Sequence, residues 1–153
     1  MFVPQSFESR DVVKLVGVTE RELRHWADLK IMVPEIANAV GRPGIRRKYS
    51  FQNLVETGIL KTLLRHGLNL HEAGRILKKY QESYKRHLPG PLYLVVQGES
   101  TSFIQSQNGG KKTLMAKLEK LLDPDMDQDA FFVVAIHHIQ DRLRSQVGGL
   151  DQK

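Results

Sequence analysis

No cysteine occurs in the 153 residues, which excludes disulfides, thiolate-held metals, iron–sulfur clusters, cysteine nucleophiles and thiol redox sensing together. Long hydrophobic runs are lacking too. The longest, such as Phe131 to Ile136, falls far short of the roughly 20 residues that a membrane span needs. The N-terminus has no charged-then-apolar signal pattern. These absences lead to the expectation of a soluble, cytoplasmic protein with no membrane partner. Also missing are paired carboxylates, a nucleophile constellation and a phosphate-cradling glycine loop, so an enzyme is not expected. Acidic residues are in deficit, with 17 against 23 lysines and arginines, giving a formal charge of +6. An excess of that sign favours acidic partners, nucleic acid first. What remains is 41% apolar, enough to build a core.

The charge is unevenly distributed. Residues 1–88 hold 16 Lys/Arg and 9 Asp/Glu, whereas residues 89–153 hold 7 and 8, so the whole positive excess lies in the first part. Pro89-Gly90-Pro91 cannot continue a helix and separates the two. The expectation is a basic reader over 1–88 joined to a small second module over 89–153.

In the first module, Ser9 can cap a short helix through about Leu15, and Gly17 supplies a left-handed or tight-turn position where it stops. Thr19-Glu20-Arg21-Glu22 has the spacing of a capping box and opens a second helix at residue 20. A short helix, a glycine turn and a capped second helix make a helix-turn-helix, in which the second helix enters the DNA major groove. On that helix Leu23, Trp26 and Ala27 share the core face, while Arg21, Arg24, His25 and Asp28 project outward. Trp26 reads as a core anchor and the cations as contacts to phosphates or bases.

Gly41-Arg42-Pro43-Gly44 reads as a turn between extended stretches near Ile36 and over Ile45 to Tyr49, a candidate wing. Its cations Arg42, Arg46, Arg47 and Lys48 are costly to bury and useful beside phosphates. Arg47 and Tyr49 fall on one side of the strand, Arg46 and Lys48 on the other. Ser50 caps a third helix ending at Gly67, and Asn69 opens a fourth with Leu70, Ala73, Ile76, Leu77 and Tyr80 on one face. Tyr84 and Leu88 extend that stripe, and an apolar seam of this kind suits a second module or a partner subunit.

Gly17-Val18-Thr19, Leu23-Arg24-His25-Trp26, Val33-Pro34, Arg46-Arg47-Lys48-Tyr49-Ser50 and Leu64-Arg65-His66-Gly67-Leu68-Asn69-Leu70 together resemble the MerR family of bacterial transcription regulators over roughly the first half of the chain. The resemblance implies a winged helix-turn-helix dimer on a pseudo-palindromic promoter, with double-stranded DNA, a second copy of the chain and RNA polymerase as partners. It places Arg24 and His25 at DNA-contacting positions and Arg47 and Tyr49 at wing contacts, with Trp26 in place of a partly buried tyrosine. His25 stands where the family has a tyrosine, and so exchanges a phenol for a titratable imidazole. The family's long dimerisation helix is cut short here by Pro89, so a dimer must use another surface. Folds of this family also serve as adaptors that bind protein and no DNA, an alternative that the basic wing disfavours.

The second module reads β-β-α-β-α: strands over Leu92 to Val96 and Ser102 to Ser106, a helix over Thr113 to Leu122, an apolar strand over Phe131 to Ile136, and a final helix carrying Ile139, Leu143 and Val147. The helix stripe includes Leu114, Met115 and Leu118. The whole is thus α+β, with the second module reserved for dimerisation ahead of ligand sensing, and no cofactor is expected. His137 and His138 adjoin, so their side chains are expected to diverge. Asp123, Asp125, Asp127 and Asp129 lack the glycine and glutamate of a calcium loop. No metal site is assigned.

Overall fold

Two capping motifs and a left-handed glycine set out the first helices in the computed structural model, which describes residues 6–37, 46–83, 91–97, 100–105, 111–121 and 132–150. Helix α1 (Ser9–Val16) is capped by Glu8 and not by Ser9. The Glu8 backbone N donates to Asp11 Oδ2 at 2.9 Å, so an acidic side chain in the first turn satisfies the entering backbone and favours the positive end of the helix dipole. Gly17, at φ 82°, ends the helix and donates to Val13 O at 2.9 Å. Helix α2 (Glu20–Asp28) then opens on the expected box: Thr19 Oγ1 accepts from Glu22 N at 3.0 Å, and Thr19 N donates to Glu22 Oε1 at 3.1 Å. Leu23, Trp26 and Ala27 are its buried face.

Strand β1 (Phe7–Glu8) pairs antiparallel with β2 (Lys48–Tyr49), and Ala37 forms a bridge to Lys48. The pairing of β1 carries no period-two signal, since it spans only two residues. Helix α3 (Phe51–Arg65) starts at Ser50, whose Oγ accepts from Asn53 N at 3.1 Å. Asn53 also anchors the preceding loop, donating from Nδ2 to Val33 O at 3.1 Å and accepting at Oδ1 from Glu35 N at 2.8 Å. Every residue from Asn53 to Leu60 is buried, so α3 is the central helix. Its fully buried Leu54, Ile59, Leu60 and Leu63 each contribute about 1.5–3 kcal/mol of apolar burial. Helix α4 (Leu70–Ser83) is opened by Asn69 Oδ1, which accepts from Glu72 N at 2.8 Å, and buries Ala73, Ile76, Leu77 and Tyr80. Tyr84 and Leu88, with the expected extension of this helix, lie outside the described residues.

The chain divides into two compact units, Met1–Ser83 with Ile139–Lys153, and Tyr84–His138. This differs from the expected division at residue 89, because the last helix leaves the second module. Helix α6 (Ile136–Leu150) buries Ile139, Leu143 and Val147, and Gly58 of α3 makes room for the first two. A Cβ on Gly58 would stand 2.7 Å from Ile139 Cγ2, inside any carbon–carbon contact. The 3.6-residue spacing identifies the apolar stripe of α6 but does not name the surface that covers it.

In the other unit, β3 (Leu92–Gln97), β4 (Ser100–Gln105), α5 (Lys111–Leu121) and β5 (Phe132–Ala135) follow in order, and the antiparallel sheet runs β4-β3-β5. The middle strand β3 is buried at Leu92 and from Leu94 to Gln97. The apolar run expected as a strand over 131–136 is shorter and lies at an edge, and Ile136 already belongs to α6. Met115, expected in the apolar stripe of α5, is 59% exposed. His137 and His138 do not diverge: their ring centroids lie 4.3 Å apart, and His137 Nδ1 is 3.2 Å from Leu92 N. No group of three or more metal-ligating side chains forms among the described residues, and the aspartates from 123 to 129 lie outside them.

Candidate nucleic-acid interface

Because the box at Thr19 fixes the start of α2 and Leu23, Trp26 and Ala27 fix its rotation, Arg21, Arg24 and His25 are turned to solvent. They repeat at intervals of three and four residues and so form one row along the helix, with Asp28 a turn further on.

The segment entering β2 alternates as a strand does. Arg46 and Lys48 are exposed, Arg47 has a side chain only 18% exposed, and Tyr49 is fully buried. Arg47 Nη2 lies 4.0 Å from Asp28 Oδ1. That contact brings the segment to the outward face of α2, one turn beyond Arg24 and His25. Arg46 Nη1 lies 3.5 Å from Glu8 Oε2, which also takes Arg10 Nε at 3.3 Å. Exposed pairs of this kind contribute about 0–1 kcal/mol, so Arg46 can exchange its carboxylate for a phosphate at little cost.

Two expected contacts change standing. Tyr49 has no exposed surface and is a core residue, because the odd positions of β2 face inward. Burial pushes its phenol above the ordinary range, opposed by the Ser9 hydroxyl and the charge of Arg47. Arg42 lies outside the described residues. Conversely, Arg10 joins Arg46 on Glu8, a neighbour that local spacing could not reveal because 36 residues separate the two arginines.

A further titratable group went unread in the sequence. Glu56 sits inside α3, where burial pushes its carboxyl up to about 7. Gln81 Nε2 donates to its Oε2 at 3.1 Å and Asn53 Nδ2 at 3.4 Å, both lowering that value, while Glu35 raises it. The available signal was an acid between Val55 and Thr57 in an otherwise apolar stretch.

A short helix, a left-handed glycine and a capped helix with an outward cationic row define a helix-turn-helix protein. Residues 7–80 match the family model described as MerR HTH family regulatory protein, so this part of the chain is a MerR-type helix-turn-helix domain. The chain is also 40% identical over 58 residues to the HTH-type transcriptional regulators Mb1861 of Mycobacterium bovis and Rv1830 of Mycobacterium tuberculosis. The matched stretch is 38% of this chain and 25% of each relative, so the chain spans about a quarter of the length of the curated relatives it matches. The family description and the relatives' names both refer to regulators of transcription or regulatory proteins. Among the described residues, no helix is long and apolar enough to cross a membrane.

Proposed function

We propose that the chain is a DNA-binding transcriptional regulator that acts as a homodimer on promoter DNA. Helix α2 enters the major groove and the segment 46–48 lies on the adjacent backbone as the stem of a wing. The observation that carries this reading is the outward row of Arg21, Arg24 and His25 on a helix whose opposite face is fully committed to the core. Arg24 and Arg21 supply groups suited to guanine edges and phosphates, and the exposed Arg46 and Lys48 supply charge without base readout. The MerR-type domain and the names of the mycobacterial relatives support the same assignment. RNA polymerase is the expected protein partner at such a promoter.

Selection of bound fragments from genomic DNA is expected to yield two inverted half-sites. On that sequence Arg24→Ala should weaken specific binding by about 1–3 kcal/mol with no change in melting temperature. Equal affinity of wild type and variant, or fragments without a shared sequence, would refute the reading. A chain that captures protein but no duplex would be an adaptor instead.

A further inference from the structure

One buried amide holds the two stretches of chain that meet at the bridge between Ala37 and Lys48. Asn53 Oδ1 accepts from Glu35 N at 2.8 Å on the first stretch and from Ser50 N at 3.1 Å on the second, and its Nδ2 donates to Val33 O at 3.1 Å. Two residues further along, Ala37 N donates to Lys48 O at 3.1 Å and Lys48 N to Ala37 O at 2.8 Å, with Ile36 N on the same Lys48 oxygen at 3.2 Å. The exposed Arg46 and Lys48 are thus held through a short ladder whose base is an asparagine only 3% exposed. Capping α3 requires only the exchange between Asn53 and Ser50. The bonds to Val33 and Glu35 go beyond that requirement.

The same Nδ2 also donates to Glu56 Oε2 at 3.4 Å, a long bond, and Gln81 Nε2 donates to that oxygen at 3.1 Å. Glu35 acts on Glu56 by charge from the loop after α2, and Tyr80 faces it from α4, bonded to Gln52 of α3 and Gln140 of α6. A protonated Glu56 makes little demand on the long bond. An ionised one makes more: hydrogen bonds to a carboxylate run at about 2.7–2.9 Å, so the charge draws the Asn53 amide inward by about half an ångström and away from Val33 O. It also repels the Glu35 carboxylate. Both effects loosen the stretch that pairs with Lys48. Burial pushes the Glu56 carboxyl up to about 7, so the change falls near neutrality.

We propose that Asn53 is a positioning residue for Arg46 and Lys48, and that Glu56 loosens its hold on losing a proton, so that affinity for a duplex falls as pH rises past neutrality. The proposal rests on the reading of the chain as a DNA-binding regulator.

The test is the affinity of the full chain for the best-bound genomic fragment at pH 6 and pH 8.5 and constant salt, in wild type and Glu56→Gln. The variant keeps an acceptor and carries no charge. It should match wild type at pH 6 and bind about fivefold more tightly than wild type at pH 8.5, a modest coupling between sites. The imidazole of His25 is common to both chains and cancels in the ratio. With Arg46 and Lys48 both replaced by alanine, the ratio should stay at one. A ratio of one at both pH values in the otherwise unchanged chain would overturn the proposal, since a merely structural Glu56 alters unfolding and not this ratio. So would a ratio that persists without Arg46 and Lys48. In the absence of DNA, the amide resonances of Ala37 and Lys48 should shift over the same pH range in wild type and hold still in Glu56→Gln. Amides that do not move in wild type would overturn the positioning role. Amides that move in a chain binding no duplex at pH 6 would overturn the regulator reading alone.

Discussion

Glu56 and Arg24 place opposite demands on single side chains. Arg24 is useful because it is in water, whereas Glu56 is a carboxyl group held out of it. The ordinary value for Glu56 is 4.5 and burial pushes it up to about 7. Through that window the folded chain keeps a proton that the unfolded chain has released. Stability from this group is therefore complete below the lower value and falls as pH rises through the upper one, by about 3 kcal/mol. Glu56→Gln keeps an acceptor for Gln81 and removes the ionisation. The variant should gain about 2–3 kcal/mol over wild type at pH 8 and almost nothing at pH 4.5, measured by urea unfolding. Identical pH slopes would contradict the burial argument. Trp26 could be read from the sequence because its neighbours repeat at helical spacing. Glu56 could not, since Gln81, which hydrogen-bonds it, and Glu35, whose charge acts on it, are remote in sequence. Tyr49 misled because a resemblance assigned it a contact, while strand alternation in the chain itself turns it inward.

At the level of elements, short-range chemistry was legible and long-range packing was not. The Thr19–Glu22 box, the Gly17 stop, the Ser50 cap and the Asn69 cap each involve residues three or four apart, and each forms as read. The partner of α6 depends on a glycine about 80 residues earlier, and no local pattern encodes it. Gly58→Ala should accordingly destabilise the protein by about 1–3 kcal/mol, because Ile139 Cγ2 sits near the backbone and cannot swing clear. A melt of the variant matching wild type would mean that α6 is not held against α3 in solution. The cost of the exchange in an exposed helix would be of opposite sign, since alanine is the better helix former.

On the scale of the whole chain, the decisive property is where charge lies. Residues 1–88 carry the entire positive excess, and within them the acids Asp28 and Glu8 each hold an arginine near the edge of α2 and β1. The two-part division of charge was visible in the sequence. The two-part division of packing was visible only in part, because helical periodicity could not return Ile139–Lys153 to the first unit. The central claim is that cations of α2 and of the segment 46–48 address one duplex, and the salt dependence of DNA affinity tests it most directly. Replacing both Arg46 and Lys48 by alanine, with the largely covered Arg47 left in place, should reduce the slope of log affinity against log salt by about 2, equally for specific and unrelated DNA. A slope unchanged from wild type, with the protein folded, would contradict the claim.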